Sequence, residues 1–103
     1  MSDTQRTAIV TGAAGGIGRA LVKGLLGAGI RVAAVDQTRD GLSAVASSAR
    51  EQGKTAALLT IEADLSHEVA ISDVVGQAHS HFGAIDILVN NAGIGRASCR
   101  ERV

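Results

Sequence analysis

Apolar runs and stretches of helical periodicity alternate along this chain, and the alternation predicts a repeated order of strand and helix. The apolar runs predict strands at 7–11, 30–35, 56–61 and 85–89. Apolar residues spaced by three or four positions predict helices at 16–28, at 39–52 and from a cap at Ser66 to a stop at Gly83.

Each predicted helix carries one apolar face. The first helix presents Ile17, Ala20, Leu21, Gly24, Leu25 and Ala28, and it ends at Gly29. The second presents Leu42, Val45, Ala46 and Ala49 and ends at Gly53, and the third presents Ile71, Val74, Val75, Ala78 and Phe82. A glycine inside a helix costs about 1 kcal/mol relative to alanine, so we expect Gly24 to allow close packing on a sheet.

Strands that are apolar on both faces and separated by helices indicate an α/β protein whose parallel sheet is covered on two sides. Crossovers between parallel strands are right-handed, and a doubly wound chain of this kind gives the strand order 3-2-1-4. We therefore predict a Rossmann-like doubly wound parallel sheet.

Composition adds limits to this fold. The 103 residues suit one small domain, and because Phe82 is the only aromatic residue the core must be aliphatic. The formal net charge is zero without a block of like charges, so neither a nucleic acid nor a membrane surface is favoured as a partner. With no signal pattern, no long apolar run and a single cysteine, Cys99, we expect a cytoplasmic protein.

A glycine turn, residues 12–18 with the sequence GAAGGIG, follows the first strand and opens the first helix. Glycine tolerates the dihedral angles of a tight turn and lets the backbone approach a pyrophosphate closely. The start of the helix presents unpaired N–H groups and the positive end of its dipole to the same negative charge. A strand, a glycine turn and a helix in this order predict a site for the phosphates of a dinucleotide.

Four motifs follow the four predicted strands in order. They are Thr11-Gly12-x-x-x-Gly16-x-Gly18 after the first strand, the acidic residue Asp36 after the second, Asp64 after the third, and the stretch Asn-Asn-Ala-Gly at 90–93 after the fourth. Together they resemble the short-chain dehydrogenase/reductase family. The resemblance implies that residues 1–93 form the N-terminal half of an NAD(P)-binding Rossmann domain. The glycines also fit the spacing of the family's extended branch, whereas the 90–93 stretch favours the compact single-domain branch.

Asp36 ends the second strand, 24 positions beyond Gly12. A carboxylate there can accept hydrogen bonds from the adenosine ribose hydroxyls and repels a 2′-phosphate. Gln37 follows it in place of a basic residue, which favours NAD over NADP, although Arg39 is close in sequence. A purely structural role for Asp36, as the start of a turn, is the alternative.

The resemblance assigns further cofactor contacts. Asp64 would contact adenine through its carboxylate and Leu65 through its backbone, although both residues also suit the start of a helix. The 90–93 stretch would place backbone against the cofactor, and one of its asparagines would tie neighbouring strands together. The complete set of cofactor-binding candidates is Gly12, Ala14, Gly15, Gly16, Ile17, Gly18, Asp36, Asp64, Leu65, Asn90, Ala92 and Gly93.

No group of cysteine, histidine and acidic residues has metal-ligand spacing, so we predict no metal site. Other polar residues lie on or beside the second and third helices, away from the strand ends where chemistry would take place. We expect surface positions for Ser47, Ser48, Lys54, His67, His79 and His81.

The family's chemistry needs a serine and a later Tyr-x-x-x-Lys pair, whose tyrosine gives or takes the proton as hydride moves. The sequence contains no tyrosine, and Lys23 and Lys54 precede the region where the pair belongs. We therefore predict no catalytic residue in this chain. For its parent protein we expect an NAD-dependent oxidoreductase that acts on an alcohol or carbonyl substrate and forms a homo-oligomer.

Residues 94–103 differ in kind from the rest, since they hold three of the ten basic residues and the only cysteine without a strand or helix pattern. They resemble one frame of a translated sequencing adapter, so we expect a non-native tail on an N-terminal fragment; a natural basic tail is the alternative. Such a fragment would leave the edge of the fourth strand open and Val74, Val75 and Phe82 partly exposed, with marginal stability and a tendency to aggregate.

Two other functions stay open. A non-catalytic nucleotide-binding module would require a genuine C-terminus, which contiguous coding of residues 94–103 in the genome would favour. A family member that catalyses dehydration or epimerisation would differ only beyond residue 93.

Overall fold

The computed structural model describes residues 5–66 and 68–91. Its elements follow the order β1 (Thr7–Thr11), α1 (Gly16–Gly27), β2 (Arg31–Asp36), α2 (Arg39–Glu51), a 3-10 turn (Thr55–Ala57), β3 (Leu58–Glu62), α3 (Glu68–Phe82) and β4 (Ile87–Asn90). The predictions for His67, for Ala92 and Gly93 and for the tail at 94–103 lie outside the described residues.

Within the described residues the strands form one parallel sheet in the order β3-β2-β1-β4, which confirms the predicted fold class and strand order. Thr11 at the end of β1 pairs with Asn90 at the end of β4, and Asp36 at the end of β2 pairs with Glu62 at the end of β3. The carboxyl ends of these strands therefore meet at one edge of the sheet.

The helices cover both faces of this sheet. Along β2, Val32 and Ala34 pack in a cluster with α1 and α2, while Ala33 and Val35 pack in a second cluster with α3. Successive side chains of a strand point to opposite faces, so a strand covered on two sides is buried at every position and is mostly apolar. This is the reason that β1 and the centre of β2 are buried at every position.

The apolar face predicted for α1 is wrong. The buried residues are Gly18, Val22 and Leu26, which lie about one residue around the helix from the predicted face. Leu21 and Leu25 pack only at the margin of the cluster. The exposed members of the predicted face are Ile17, Ala20, Gly24 and Ala28. The sequence pattern counted the small residues Ala20, Gly24 and Ala28 as apolar. The side of α1 that packs on the sheet is instead the side that carries Gly18 and the larger side chains.

Gly24 does not pack closely on the sheet, so that prediction is also wrong. A Cβ atom added there would meet no atom within 4 Å. The predicted helix stops are confirmed, because Gly29, Gly53 and Gly83 have φ angles of +87°, +74° and +94°, which favour glycine. The buried face of α2 is as predicted except that Ala46 is only half-buried.

Two strands begin two residues later than predicted. The N–H of Ala57 donates to the Lys54 carbonyl at 3.0 Å, which closes a 3-10 turn and delays β3 to Leu58. The carboxylate of Asp86 accepts the Thr7 N–H at 3.0 Å. A side chain thus takes the place of a backbone carbonyl as the partner of this N–H, just before β4 begins at Ile87. A local pattern of apolar residues does not distinguish the 3-10 turn before β3, or the hydrogen bond of the Asp86 side chain before β4, from a continuing strand.

The outer face of α3 and the edge of β4 are open among the described residues. β4 pairs with β1 alone there, and Leu88 is 65% exposed. Val75 is exposed and Phe82 is half-buried, as predicted. Val74 is buried against the sheet, contrary to the prediction, because it points with Ala78 toward Ile9 and Val35.

A pair of leucine truncations tests this packing. Leu26 is 1% exposed between α1 and the sheet, so Leu26→Ala should lower the free energy of unfolding by about 3 kcal/mol through lost burial and a cavity. Leu88→Ala makes the same chemical change at an exposed site and should cost less than about 1 kcal/mol. Urea unfolding followed by circular dichroism measures both, and equal losses would contradict the assigned layers.

Candidate functional site

The glycine turn is closed by backbone hydrogen bonds. Gly12 adopts a φ of +64°, and the N–H of Gly15 donates to the Gly12 carbonyl at 3.3 Å. The N–H of Ala13 donates to the Val35 carbonyl at 3.0 Å, which extends the pairing of β1 with β2 into the turn. The turn is therefore anchored to the sheet before α1 begins.

Gly18 brings α1 directly against this turn. A Cβ atom at Gly18 would lie 2.1 Å from the Gly12 carbonyl oxygen and 2.8 Å from the Cα of Ala13. No side chain fits that space, so glycine is required for the close packing of helix on strand. By contrast, a Cβ at Gly16 would meet nothing within 4 Å, and this side of the turn is open.

α1 begins without a side-chain cap and without an acidic residue in its first turn. Its N-cap, Gly15, has no side chain to accept the first N–H groups. α2 and α3 differ, because Asp40 and Glu68 occupy their first turns. The first N–H groups of α1 and the positive end of its dipole therefore face open space, an arrangement that suits an anion. Ile17, 59% exposed, lies beside them.

Asp36 connects the end of β2 to the glycine turn. Its Oδ2 accepts the N–H of Ala14 at 3.0 Å, and its Oδ1 accepts the N–H of Thr38 at 2.9 Å. The second bond is an Asx-type turn, so the structural role considered for Asp36 is real. A carboxylate oxygen has two acceptor sites, and each oxygen of Asp36 can therefore take a further hydrogen bond beside the turn.

The asparagines that follow β4 hold the turn from the other side. The Thr11 hydroxyl donates to the Asn90 side-chain oxygen at 3.1 Å, and the Asn91 amide donates to the Gly12 carbonyl at 3.0 Å. Both asparagines thus link β4 to β1, where the sequence left open which one does so. The main-chain role expected of Ala92 and Gly93 falls outside the described residues.

Asp64 and Leu65 follow β3 at the same edge of the sheet. The Oδ1 of Asp64 accepts the N–H of Ser66 at 3.0 Å, two residues before α3 begins at Glu68. Leu65 is half-buried and packs against the cluster under α3. These contacts match the alternative of a helix start, and the Asp64 side chain is exposed at the edge where adenine is expected.

Gly41 also lies against the glycine turn, although it is not among the residues predicted from the sequence. A Cβ atom there would lie 2.4 Å from the Cβ of Ala14, so the first turn of α2 abuts the glycine turn. A glycine in a first helical turn soon after Asp36 was the available signal, since glycine disfavours helix unless close approach requires it.

Other chemistry finds no support among residues 5–66 and 68–91. There, no group of three histidine, cysteine or acidic side chains could hold a metal ion. Lys23 and Lys54 lie on α1 and in the turn before β3, away from the carboxyl edge. In the same residues, none of the helices combines the length and apolarity needed to cross a membrane. An open groove follows α3 past Ser72, Gly76 and Ser80, and α3 packs on the face of the sheet opposite to α1 and α2.

This chain is similar to known proteins in both sequence and fold. The family model described as short chain dehydrogenase matches residues 6–103. Human 15-hydroxyprostaglandin dehydrogenase (NAD(+)) is 39% identical over 89 residues, which cover 86% of this chain and 34% of that protein. A short-chain dehydrogenase/reductase mutant from Serratia marcescens is 42% identical with a TM-score of 0.78, over 84% of this chain and 35% of that one.

An actinorhodin polyketide ketoreductase, solved with NADPH, is 30% identical with a TM-score of 0.81, over 88% of this chain and 34% of that one. The chain thus spans about a third of the length of the proteins it matches. The names and cofactors of these proteins include both NAD(+) and NADPH, so similarity alone does not select one dinucleotide.

Two glycine substitutions in α1 test the close approach of helix and turn. Gly18→Ala should lower the free energy of unfolding by about 2 kcal/mol or more, because its Cβ collides with backbone that cannot move aside. Gly24→Ala places the same methyl group in open space on an exposed helix position and should raise it by about 0.5–1 kcal/mol. Thermal unfolding measures both, and effects of the same sign would refute the packing assigned to Gly18.

Proposed function

The chain belongs to the short-chain dehydrogenase family, and we propose that its parent protein is an NAD-dependent oxidoreductase of alcohol or carbonyl substrates. In this proposal residues 1–93 form the N-terminal half of the Rossmann domain and bind the adenosine and pyrophosphate half of the cofactor. The nicotinamide, when bound, supplies or accepts the hydride. Catalytic groups of the serine, tyrosine and lysine type would come from a segment of the parent that this sequence does not contain.

The observation that carries the proposal is the position of Asp36 beside the uncapped start of α1. The glycine turn offers the first N–H groups of α1 to a pyrophosphate, with no side chain between them and a ligand. The Asp36 carboxylate lies beside this turn, because its Oδ2 accepts the N–H of Ala14. A ribose hydroxyl and a pyrophosphate are neighbours in adenosine dinucleotides, so the two groups suit two parts of one ligand.

The choice of NAD over NADP rests on the charge of Asp36. Its oxygens can accept from both ribose hydroxyls of NAD, whereas a 2′-phosphate would bring two negative charges together. The NAD(+) in the name of the human 15-hydroxyprostaglandin dehydrogenase agrees with this choice, whereas the ketoreductase was solved with NADPH, so the proposal depends on Asp36.

The proposal gives the remaining candidates the following roles, of which those of Ala92 and Gly93 rest on the sequence alone. Gly12, Gly15, Gly16 and Gly18 would shape the phosphate site, and Ile17 would present its N–H and exposed side chain to the ligand. Asp64 and Leu65 would bound the adenine, and Asn90 would complete the edge together with Ala92 and Gly93. A cytoplasmic location, a homo-oligomeric parent and a non-native tail at 94–103 stay predictions from the sequence.

Asp36→Ala in the full-length parent protein should weaken NAD binding about tenfold or more, through loss of charge-assisted hydrogen bonds to the ribose. NADP binding should weaken less or improve, since the repelling charge is gone. Isothermal titration calorimetry gives both dissociation constants, and their ratio separates specificity from any loosening of the turn at Ala14.

The matched control is Asp40→Ala, which removes an exposed carboxylate from the first turn of α2. It should leave the ratio of the two dissociation constants unchanged. A ratio that does not move in the Asp36 variant would overturn the assignment of NAD, and failure of the unaltered protein to bind either dinucleotide would overturn the proposed function itself.

A further inference from the structure

An ion pair lies next to the proposed ribose site. The Arg39 Nε donates to the Glu62 Oε1 at 3.1 Å, with the two side chains 81% and 47% exposed. Arg39 is the first residue of α2, and Glu62 is the last residue of β3. The pair therefore bridges the edge strand to the helix whose first turn abuts the glycine turn.

Glu62 and Asp36 are register partners in neighbouring parallel strands. Residues paired in this way direct their side chains to the same face of the sheet, so two carboxylates stand side by side at the carboxyl edge. Arg39 follows Asp36 by three positions and forms its ion pair with Glu62, whereas the Asp36 oxygens accept backbone N–H groups.

We propose that Glu62 is a specificity-determining residue, which keeps the Arg39 guanidinium from binding the 2′-phosphate of NADP. This inference rests on the proposed function, because it places the adenosine ribose beside Asp36. Arg39 is otherwise well suited to a phosphate, since guanidinium groups bind phosphate oxygens through paired hydrogen bonds. Glu62 accepts the Nε–H of that guanidinium and so holds it at the end of β3.

The position of Arg39 at the start of α2 is a second physical reason for its ion pair with Glu62. A cation in the first turn of a helix is unfavourable, because it lies at the positive end of the dipole. Glu62 compensates that charge within the chain. A ribose 2′-phosphate would compensate it as well, so the carboxylate of Glu62 and the phosphate compete for one guanidinium.

The test measures binding of NAD and NADP to the full-length parent protein and to its Glu62→Gln variant. A guanidinium that is free to lie about 4 Å from a phosphate in water raises the affinity for that phosphate about fivefold, so NADP should bind about fivefold more tightly once Glu62 no longer holds Arg39. NAD affinity should stay within about twofold. Arg39→Gln in the otherwise unaltered protein should change neither constant, and the double variant should lose the NADP gain, as expected for coupled residues.

Glu51→Gln is the matched control, since it removes the same charge from the far end of α2. It should reproduce none of the NADP gain, which separates a local effect from net charge. An unchanged ratio in Glu62→Gln, or a gain that persists without Arg39, would overturn the role of Glu62 while leaving dinucleotide binding intact. Absence of binding to both dinucleotides in the unaltered protein would instead overturn the proposed function.

Discussion

The close approach of α1 to the end of β1 governs the arrangement of this site. At Gly18 the helix lies so near the Gly12 carbonyl that a Cβ atom would stand 2.1 Å from it. This contact fixes which side of α1 meets the sheet, and Val22 and Leu26 are buried as a consequence. It also directs the start of the helix, with its unpaired N–H groups, across the open side of the glycine turn.

Hydrogen bonds from neighbouring strands keep that turn in place. Asp36 binds the N–H of Ala14 from β2, Asn91 binds the carbonyl of Gly12 from beyond β4, and Val35 accepts the N–H of Ala13. A loop held in this way changes little in conformational entropy when a ligand binds, which lowers the cost of binding. The same side chain, Asp36, thus serves both the shape of the turn and the proposed choice of NAD.

The strand order and the glycine turn between β1 and α1 were predictable from the sequence, because apolar strands, glycine stops and the turn motif are local signals. The buried face of α1 was not, since Ala20, Gly24 and Ala28 fit an apolar stripe while the close contact at Gly18 depends on a partner outside the helix. The contact of Gly41 with Ala14 joins residues far apart in the chain, and local periodicity carries no record of it.

The measurement that tests the central claim most directly is an NMR titration of the isotope-labelled chain with NAD. Because this segment would contact only half of the cofactor, titration should extend to the order of 1 mM or above. If the chain binds NAD as proposed, the largest amide shift changes should occur in the glycine turn and at Asp36. Changes confined to the α3 groove at Ser72, Gly76 and Ser80, or no changes in a folded chain, would contradict the proposal.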